Sequence, residues 1–485
     1  MNEITKNEII ECCIVGTGPA GLSVGLELIK HGKTNLVIVD KNHLIGGLAR
    51  TEERDGIRFD VGPHRFFTNN KEVNDLWHDL LGKDFIPVNR LTRIYYKGKY
   101  FLYPIKATDA LLKMGIFESI HAFFSFAATK FKKQEEAKTF EEWITQKFGK
   151  KLYTTFFKTY TEKVWGIPCN QIGAEWASQR IKGLDIIEVI KNALSFSNGN
   201  GPKTLVEQFD YPKYGSGQMY EKMAELIKNA GGKIITDTKV TRFNKTENKI
   251  ESIEVEDREG NTYQIKADHY FNSAPLTHFY KLLSPGFGDD IDKAVNSLYY
   301  REHITVDLLI NGDNLFPDQW IYIHSSDVKM ARIANYNNFS KAMVGNQNKS
   351  AISVEYFTFQ NDDIWKMNDE SLINLAVTEL EITKLIPKGA FEKGWVVRET
   401  ESYPTYYLGY KEPYELLQKH LKGISNLTPV GRGGLYKYNN QDHSIYSGML
   451  AARNYLKLTE TPYDIWSINI DAEYHESGHR KKTDE

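Results

Sequence analysis

The chain has 485 residues, 41% of them hydrophobic and 26% charged, with a formal net charge of −2. That length divides into roughly two to four units of 100–200 residues, and the near-neutral balance gives no electrostatic reason to expect nucleic acid as a partner. Three cysteines, Cys12, Cys13 and Cys169, have neither metal-ligand spacing nor an even-numbered disulfide framework, so no metal is expected and a reducing compartment fits. Residues 1–11 are polar and acidic where a signal peptide would be basic and then apolar, and no run of about eighteen apolar residues occurs. A cytoplasmic protein is expected.

The first elements in the chain are the most informative. Residues 12–15 read as a buried parallel strand, 20–30 as a helix and 35–40 as a second strand, which makes a βαβ unit. Its turn is Ile14-Val15-Gly16-Thr17-Gly18-Pro19-Ala20-Gly21. Gly16 allows the tight turn, Gly18 lets the backbone approach a pyrophosphate, and Gly21 lets the helix pack close to the strand. Pro19 and Ala20 open the helix, whose N–H groups would face the phosphates. Asp40, with Lys41 beside it, ends the second strand where ribose hydroxyls would sit.

Next come Ile45-Gly46-Gly47-Leu48-Ala49-Arg50-Thr51 and Phe59-Asp60-Val61-Gly62-Pro63-His64. Together they resemble the second fingerprint of flavoproteins in the amine oxidase and UDP-galactopyranose mutase superfamily, which implies FAD rather than NAD. Gly47 and Leu48 would pass close to the cofactor, and Arg50 offers a charge-assisted donor to its pyrophosphate.

A hairpin is centred on Lys97-Gly98, and from there the pattern turns helical. The stretch 116–131 places Phe117, Ile120, Phe123, Phe124, Ala127 and Phe131 at helical spacing, with Lys130, Lys132 and Lys133 at its end. It reads as an amphipathic helix facing the core, with attachment to a membrane surface as the less favoured alternative. Further amphipathic stretches cover 139–160 and 172–181. A helix follows Gly215-Ser216-Gly217, and strands run from Gly231 through Tyr263 and then over 267–273, ending in Ala274-Pro275. Runs of period-two character at 303–310, 352–359 and 395–400 suggest an antiparallel sheet, with a helix over 371–385. Pro429-Val430-Gly431-Arg432 returns to the first domain, and 444–456 is its closing helix.

The fold class is therefore α/β: a Rossmann-like FAD-binding domain with an inserted helical domain and an antiparallel sheet on the substrate side. The cofactor domain takes residues 1–100, 206–275 and 429–475, the helical substrate domain 101–205 and the sheet domain 276–428. A disordered tail is expected over 476–485.

Four places narrow the resemblance to UDP-galactopyranose mutases. In Gly62-Pro63-His64-Arg65-Phe66-Phe67-Thr68-Asn69, the resemblance puts His64 beside the flavin ring; Phe67 stands where bacterial mutases have a second histidine. In Tyr160-Thr161-Glu162-Lys163-Val164-Trp165-Gly166, followed by Arg180, the tyrosine would stack on uracil, Thr161 and Trp165 would line the sugar pocket, and Arg180 would bind the diphosphate. An aromatic face suits a nucleobase and a guanidinium fork suits a pyrophosphate. Trp320-Ile321-Tyr322 and Arg332-Ile333-Ala334-Asn335-Tyr336 resemble the strand pair carrying a second diphosphate-binding arginine, Arg332. Phe339 holds the place of a fungal mutase tyrosine, so no phosphate contact is assigned there. Lastly, Tyr403 and Tyr438 match tyrosines that contact the substrate phosphates, while Arg432 and Asn440 match residues near flavin and sugar. Asp442, His443 and Ser444 open the closing helix, whose N-terminus would aim at the flavin. Val240 adds a cofactor contact.

The resemblance implies a mutase acting on a nucleotide sugar for cell-surface glycan synthesis. Reduced flavin would be its nucleophile, NAD(P)H or another reductant its electron source, and no net oxidation would occur. His64, Arg180 and Arg332 would be the catalytic residues. The competing expectation is an FAD-dependent oxidoreductase resembling protoporphyrinogen oxidase, a carotenoid desaturase or an amine oxidase. Its first domain would look the same, but it does not need two arginines placed for a diphosphate.

Overall fold

The computed structural model describes residues 10–105, 107–131, 135–174, 176, 208–345 and 348–468. Arg180, the end of the 172–181 stretch beyond Trp176 and the tail at 476–485 lie outside the described residues.

The apolar run Ile10–Val15 is the central strand of a five-stranded parallel sheet, flanked by Leu36–Val39 on one side and Ala267–Asn272 on the other. Lys233–Ile235 and Leu427–Pro429 form its edges. Such a sheet must be covered on both faces. One cover is the helix Pro19–Lys30, which packs between the helix Gly217–Asn229 and the closing helix Gln441–Leu456. The parallel sheet is thus assembled from separated parts of the chain, and the C-terminal ends of its central strands point toward one crevice.

A second sheet has seven strands in the order Phe391–Pro404, Tyr300–Asn311, Lys349–Thr358, Arg332–Asn335, Trp320–Ile323, Thr92–Tyr96 and Lys99–Leu102. All neighbours are antiparallel except Thr92–Tyr96 beside Trp320–Ile323. The hairpin at Lys97-Gly98 therefore extends this sheet. Alternation of buried and exposed positions was the expectation for its strands, yet Tyr300–Asn311 is buried along all but its last residue. Both faces are covered. Ile304, Val306, Leu308 and Ile310 pack under Leu372, Ala376 and Leu380 of the helix Asp369–Ile382, whereas Leu309 joins the core of the first domain.

Two helical expectations are corrected. The stretch 139–160 is broken at Gly149, which has φ +83°. Phe140–Phe148, opened by a Thr139/Glu142 capping box, ends there, and a second helical run starts at Lys150 and continues through the π-helical turns Tyr153–Lys158 into Thr159–Trp165. The helix Ile116–Lys130 exists but does not face the core: Ala122 and Phe126 are buried, whereas Phe117 is 86% exposed and Phe124 65%. Its neighbours give it only a narrow seat, on the turn around Gly149, so the broad apolar stripe points outward. Among the described residues, no helix is long and apolar enough to cross a membrane.

Candidate active site

A cavity of about 410 Å³ lies between the parallel sheet and the seven-stranded sheet. At its first end the chain leaves the central strand at Gly16, with φ +103°; a Cβ there would stand 2.1 Å from Ser273 Oγ. Gly18, Pro19 and Ala20 continue the wall, while Gly21 sits behind it and packs the helix against the turn. No side chain caps the start of this helix, so its first N–H groups face the cavity without a side-chain partner. Asp40 lies opposite, with Lys41 on the same wall. One Asp40 oxygen accepts from Thr17 N at 2.6 Å and Thr17 Oγ1 at 2.7 Å, which ties the second strand to the glycine turn.

Gly47 and Leu48 form the next part of the wall, with Val240 across from them. Gly46 N donates to Thr17 O, locking the two glycine-rich segments together. Arg50 differs from the expectation. Its guanidinium is held by Glu52 at 2.8 Å, Glu399 at 2.5 Å and the Gly47 carbonyl at 3.1 Å, and it does not reach the cavity wall. Buried Glu52 and half-buried Glu399 take the charge that a pyrophosphate would have used.

The second motif is anchored by Asp60, which accepts from Thr51 Oγ1, Ser216 N and Tyr211 Oη. From there the chain presents His64 to the cavity. His64 Nδ1 lies 2.8 Å from Gly62 O, and a carbonyl only accepts, so the proton is on Nδ1 and Nε2 carries the lone pair. Burial, then the charges of Arg432 and Arg332, push this imidazole down to about 4, so it is neutral at pH 7.

Arg332 enters from the seven-stranded sheet directly behind that loop: a Cβ on Gly62, which has φ +82°, would stand 2.8 Å from Glu355 Oε1 and 3.6 Å from Arg332 Nη2. Arg332 donates through Nε and Nη2 to the two oxygens of Glu355, whose second partner is His303 at 2.8 Å. Burial alone would raise the Glu355 carboxyl, but Arg332 and His303 override it and hold it down to about 2. Burial likewise works against the Arg332 charge, and Glu355 more than restores it. Among the described residues, three of the five guanidinium N–H donors remain for a ligand.

Trp320 and Tyr322 line the cavity from the adjoining strand. Trp320 Nε1 is buried and has no hydrogen-bond partner among the described residues. Tyr403 and Tyr438 stack at 5.6 Å and both carry the guanidinium of Arg432, at 4.8 and 5.4 Å from the ring centres. Arg432 is oriented by the carbonyls of Ser402 and Asn439. Asn440, Asp442 and Ser444 bring the uncapped start of the closing helix to the same wall, while His443 turns aside to pair with Asp442.

Tyr160, Thr161 and Trp165 stand one layer behind. Tyr160 meets Tyr322 edge-on and stacks on His324 at 4.8 Å; Thr161 is buried; Trp165 packs against Tyr438, with its indole N–H unpartnered among the described residues. Phe339 is buried and stacks on Trp320, as suits a position to which no phosphate contact was assigned. Sequence reasoning missed Glu355 and His303. A glutamate inside the apolar strand Lys349–Thr358 was the available signal, because such a buried charge needs a partner.

Two glycine turns, two uncapped helix starts and a crevice at the strand ends are the features of a dinucleotide-binding fold. The chain belongs to the flavin-containing amine oxidoreductase family, whose model matches residues 19–454. Over 175 residues, or 33% of its length, it is 27% identical to a "probable UDP-galactopyranose mutase" of Klebsiella pneumoniae. That match spans 42% of the mutase, less than half its length. It is also 24% identical over 381 residues, 66% of this chain and 73% of the relative, to a lycopene-forming phytoene desaturase of Pantoea ananas. A crystal structure of reduced UDP-galactopyranose mutase superimposes with a TM-score of 0.82 at 20% identity, covering 96% of this chain and 98% of that one.

Proposed function

We propose that the protein is an FAD-dependent mutase that interconverts pyranose and furanose forms of a UDP-sugar, with UDP-galactose as the first substrate to try. One observation carries this reading: a single cavity joins the glycine turns to Arg332, Trp320, Tyr403 and Tyr438. The cofactor fits on structural grounds, since any side chain at Gly16 would collide with Ser273, the first helix start offers uncapped N–H groups to its phosphates, and the closing helix start would face its flavin. When bound and reduced, FAD supplies a nucleophilic nitrogen for the anomeric carbon.

The protein's own residues do the rest. Arg332 directs its three remaining donors at the diphosphate, where negative charge grows as the sugar–phosphate bond breaks. Arg180 is assigned the other side of that diphosphate from the motif spacing. Tyr403 and Tyr438 add hydroxyl donors, and the Trp320 indole N–H offers another. His64, neutral and fixed by Gly62 O, adds no positive charge beside the flavin ring. Asn440 and the start of the closing helix orient the sugar side. NAD(P)H or a comparable reductant would activate the enzyme, and the cytoplasm would supply it.

The test is to titrate UDP and UDP-galactose into oxidised and reduced protein while following the flavin spectrum, and then to assay pyranose–furanose exchange by the dithionite-reduced form. Exchange without stoichiometric loss of reductant supports the mutase. Turnover that tracks oxygen or quinone consumption assigns an oxidoreductase instead, the reading favoured by the longer similarity to a phytoene desaturase.

A further inference from the structure

The helices Ala107–Met114 and Ile116–Lys130 carry an apolar face that no described residue covers. Leu112 is 83% exposed, Ile116 71%, Phe117 86% and Phe131 90%, with Ile120, Phe123 and Phe124 between them also exposed. Single exposed apolar residues are ordinary, but a contiguous face of four phenylalanines, two isoleucines and a leucine marks an interaction site.

What surrounds the face indicates its occupant. Lys97 and Lys99 are exposed on the adjoining hairpin, and Lys97 lies close enough to Glu118 to act on its charge. Lys99 donates to Lys113 O. Lys150 and Lys151 start the short helix on which Ile116–Lys130 rests. The two acids in the patch are both neutralised, Asp109 by Lys113 and Glu118 by Lys151. In a chain of net charge −2, Lys97, Lys99 and Lys150, which form no ion pair among the described residues, thus lie around this exposed apolar face.

We propose that this face docks the protein in the plane of an anionic lipid bilayer, with the phenylalanines at the acyl boundary and the lysines at the headgroups. That is the composition of an interfacial helix rather than of a spanning one. A second copy of the chain is the poorer occupant, because a two-fold contact would set each lysine rim against its own image.

The full-length protein is floated with vesicles of phosphatidylcholine alone and of phosphatidylcholine mixed with phosphatidylglycerol. It should rise with the anionic vesicles, rise far less with the neutral ones, and be released by high salt. The double variant Phe117→Ser/Phe124→Ser should lower partitioning at least about tenfold with unchanged thermal unfolding, and Lys97→Gln and Lys150→Gln should each lower it about fivefold. Wild-type protein that stays down with both vesicle types overturns the proposal, as does a double variant that floats like wild type. A concentration-dependent dimer that the double variant abolishes, in protein that does not float, gives the face to a second copy and also overturns it.

Discussion

Arg332 and Glu355 are register partners on neighbouring antiparallel strands, and their two-point ion pair lies on the wall of the cavity. A strand pair is a rigid mount, so the guanidinium is aimed before any ligand arrives. Replacing Glu355 by Ala strands a buried charge and should cost about 3–5 kcal/mol of stability. Glu355→Gln keeps the shape and should cost less. Because the folded carboxyl is held down to about 2, its contribution is complete above the ordinary carboxylate range near 4.5 and is lost as the pH falls toward 2. Urea unfolding at stepped pH should therefore show a shallower acid limb for Glu355→Gln than for wild type.

His64 titrates in the same direction for a different reason. Its folded value near 4 lies below the ordinary imidazole value of 6.5 because burial and two arginines oppose the cation. The unfolded chain binds the proton first, so stability falls as pH drops from 6.5 to 4, by roughly 3 kcal/mol from this ring. His269 and His324 are pushed down by burial as well. The difference between wild type and His64→Gln isolates the contribution of His64, and equal slopes for the two proteins would remove it.

The βαβ unit was legible in the sequence because it is local: the spacing of Gly16, Gly18 and Asp40 alone states the turn and the helix start, and all three line the cavity. His64 followed for the same reason. The carboxylates that hold Arg50 were hidden, because Glu399 lies 349 residues away and spacing cannot reveal which of several anions a guanidinium meets. Glu355 was missed for the converse reason: it acts only through a cross-strand neighbour. The direction of the helix Ile116–Lys130 was also hidden, since an apolar stripe announces burial in something without saying whether the protein supplies the cover.

Gly16→Ala tests the cradle itself. The new methyl would stand 2.1 Å from Ser273 Oγ at a φ of +103°, so the turn has to open to admit it, and the position is strained for any L side chain. The expected outcome is a folded protein purified with little flavin, read from its visible absorbance per unit of protein and from weak uptake of added FAD. Normal flavin content would show that the turn relaxes without loss of the site.

Arg332→Lys and Arg50→Met separate the two buried arginines by what each one serves. Lysine keeps a charge at 332 but not the fork, so UDP affinity should fall by roughly 1.5–3 kcal/mol while flavin content stays unchanged. Arg180→Ala should weaken UDP binding over the same range. In the double variant the losses should not add, because both groups serve one diphosphate. At position 50 the guanidinium bridges Glu52 and Glu399, so methionine leaves the half-buried Glu399 without this partner, while Glu52 keeps Arg54. There the loss should appear as about 1–3 kcal/mol of stability, with UDP affinity per folded molecule close to wild type. Calorimetric titration with UDP beside urea unfolding distinguishes the cases, and a large affinity loss for Arg50→Met at full stability would return that residue to the cavity.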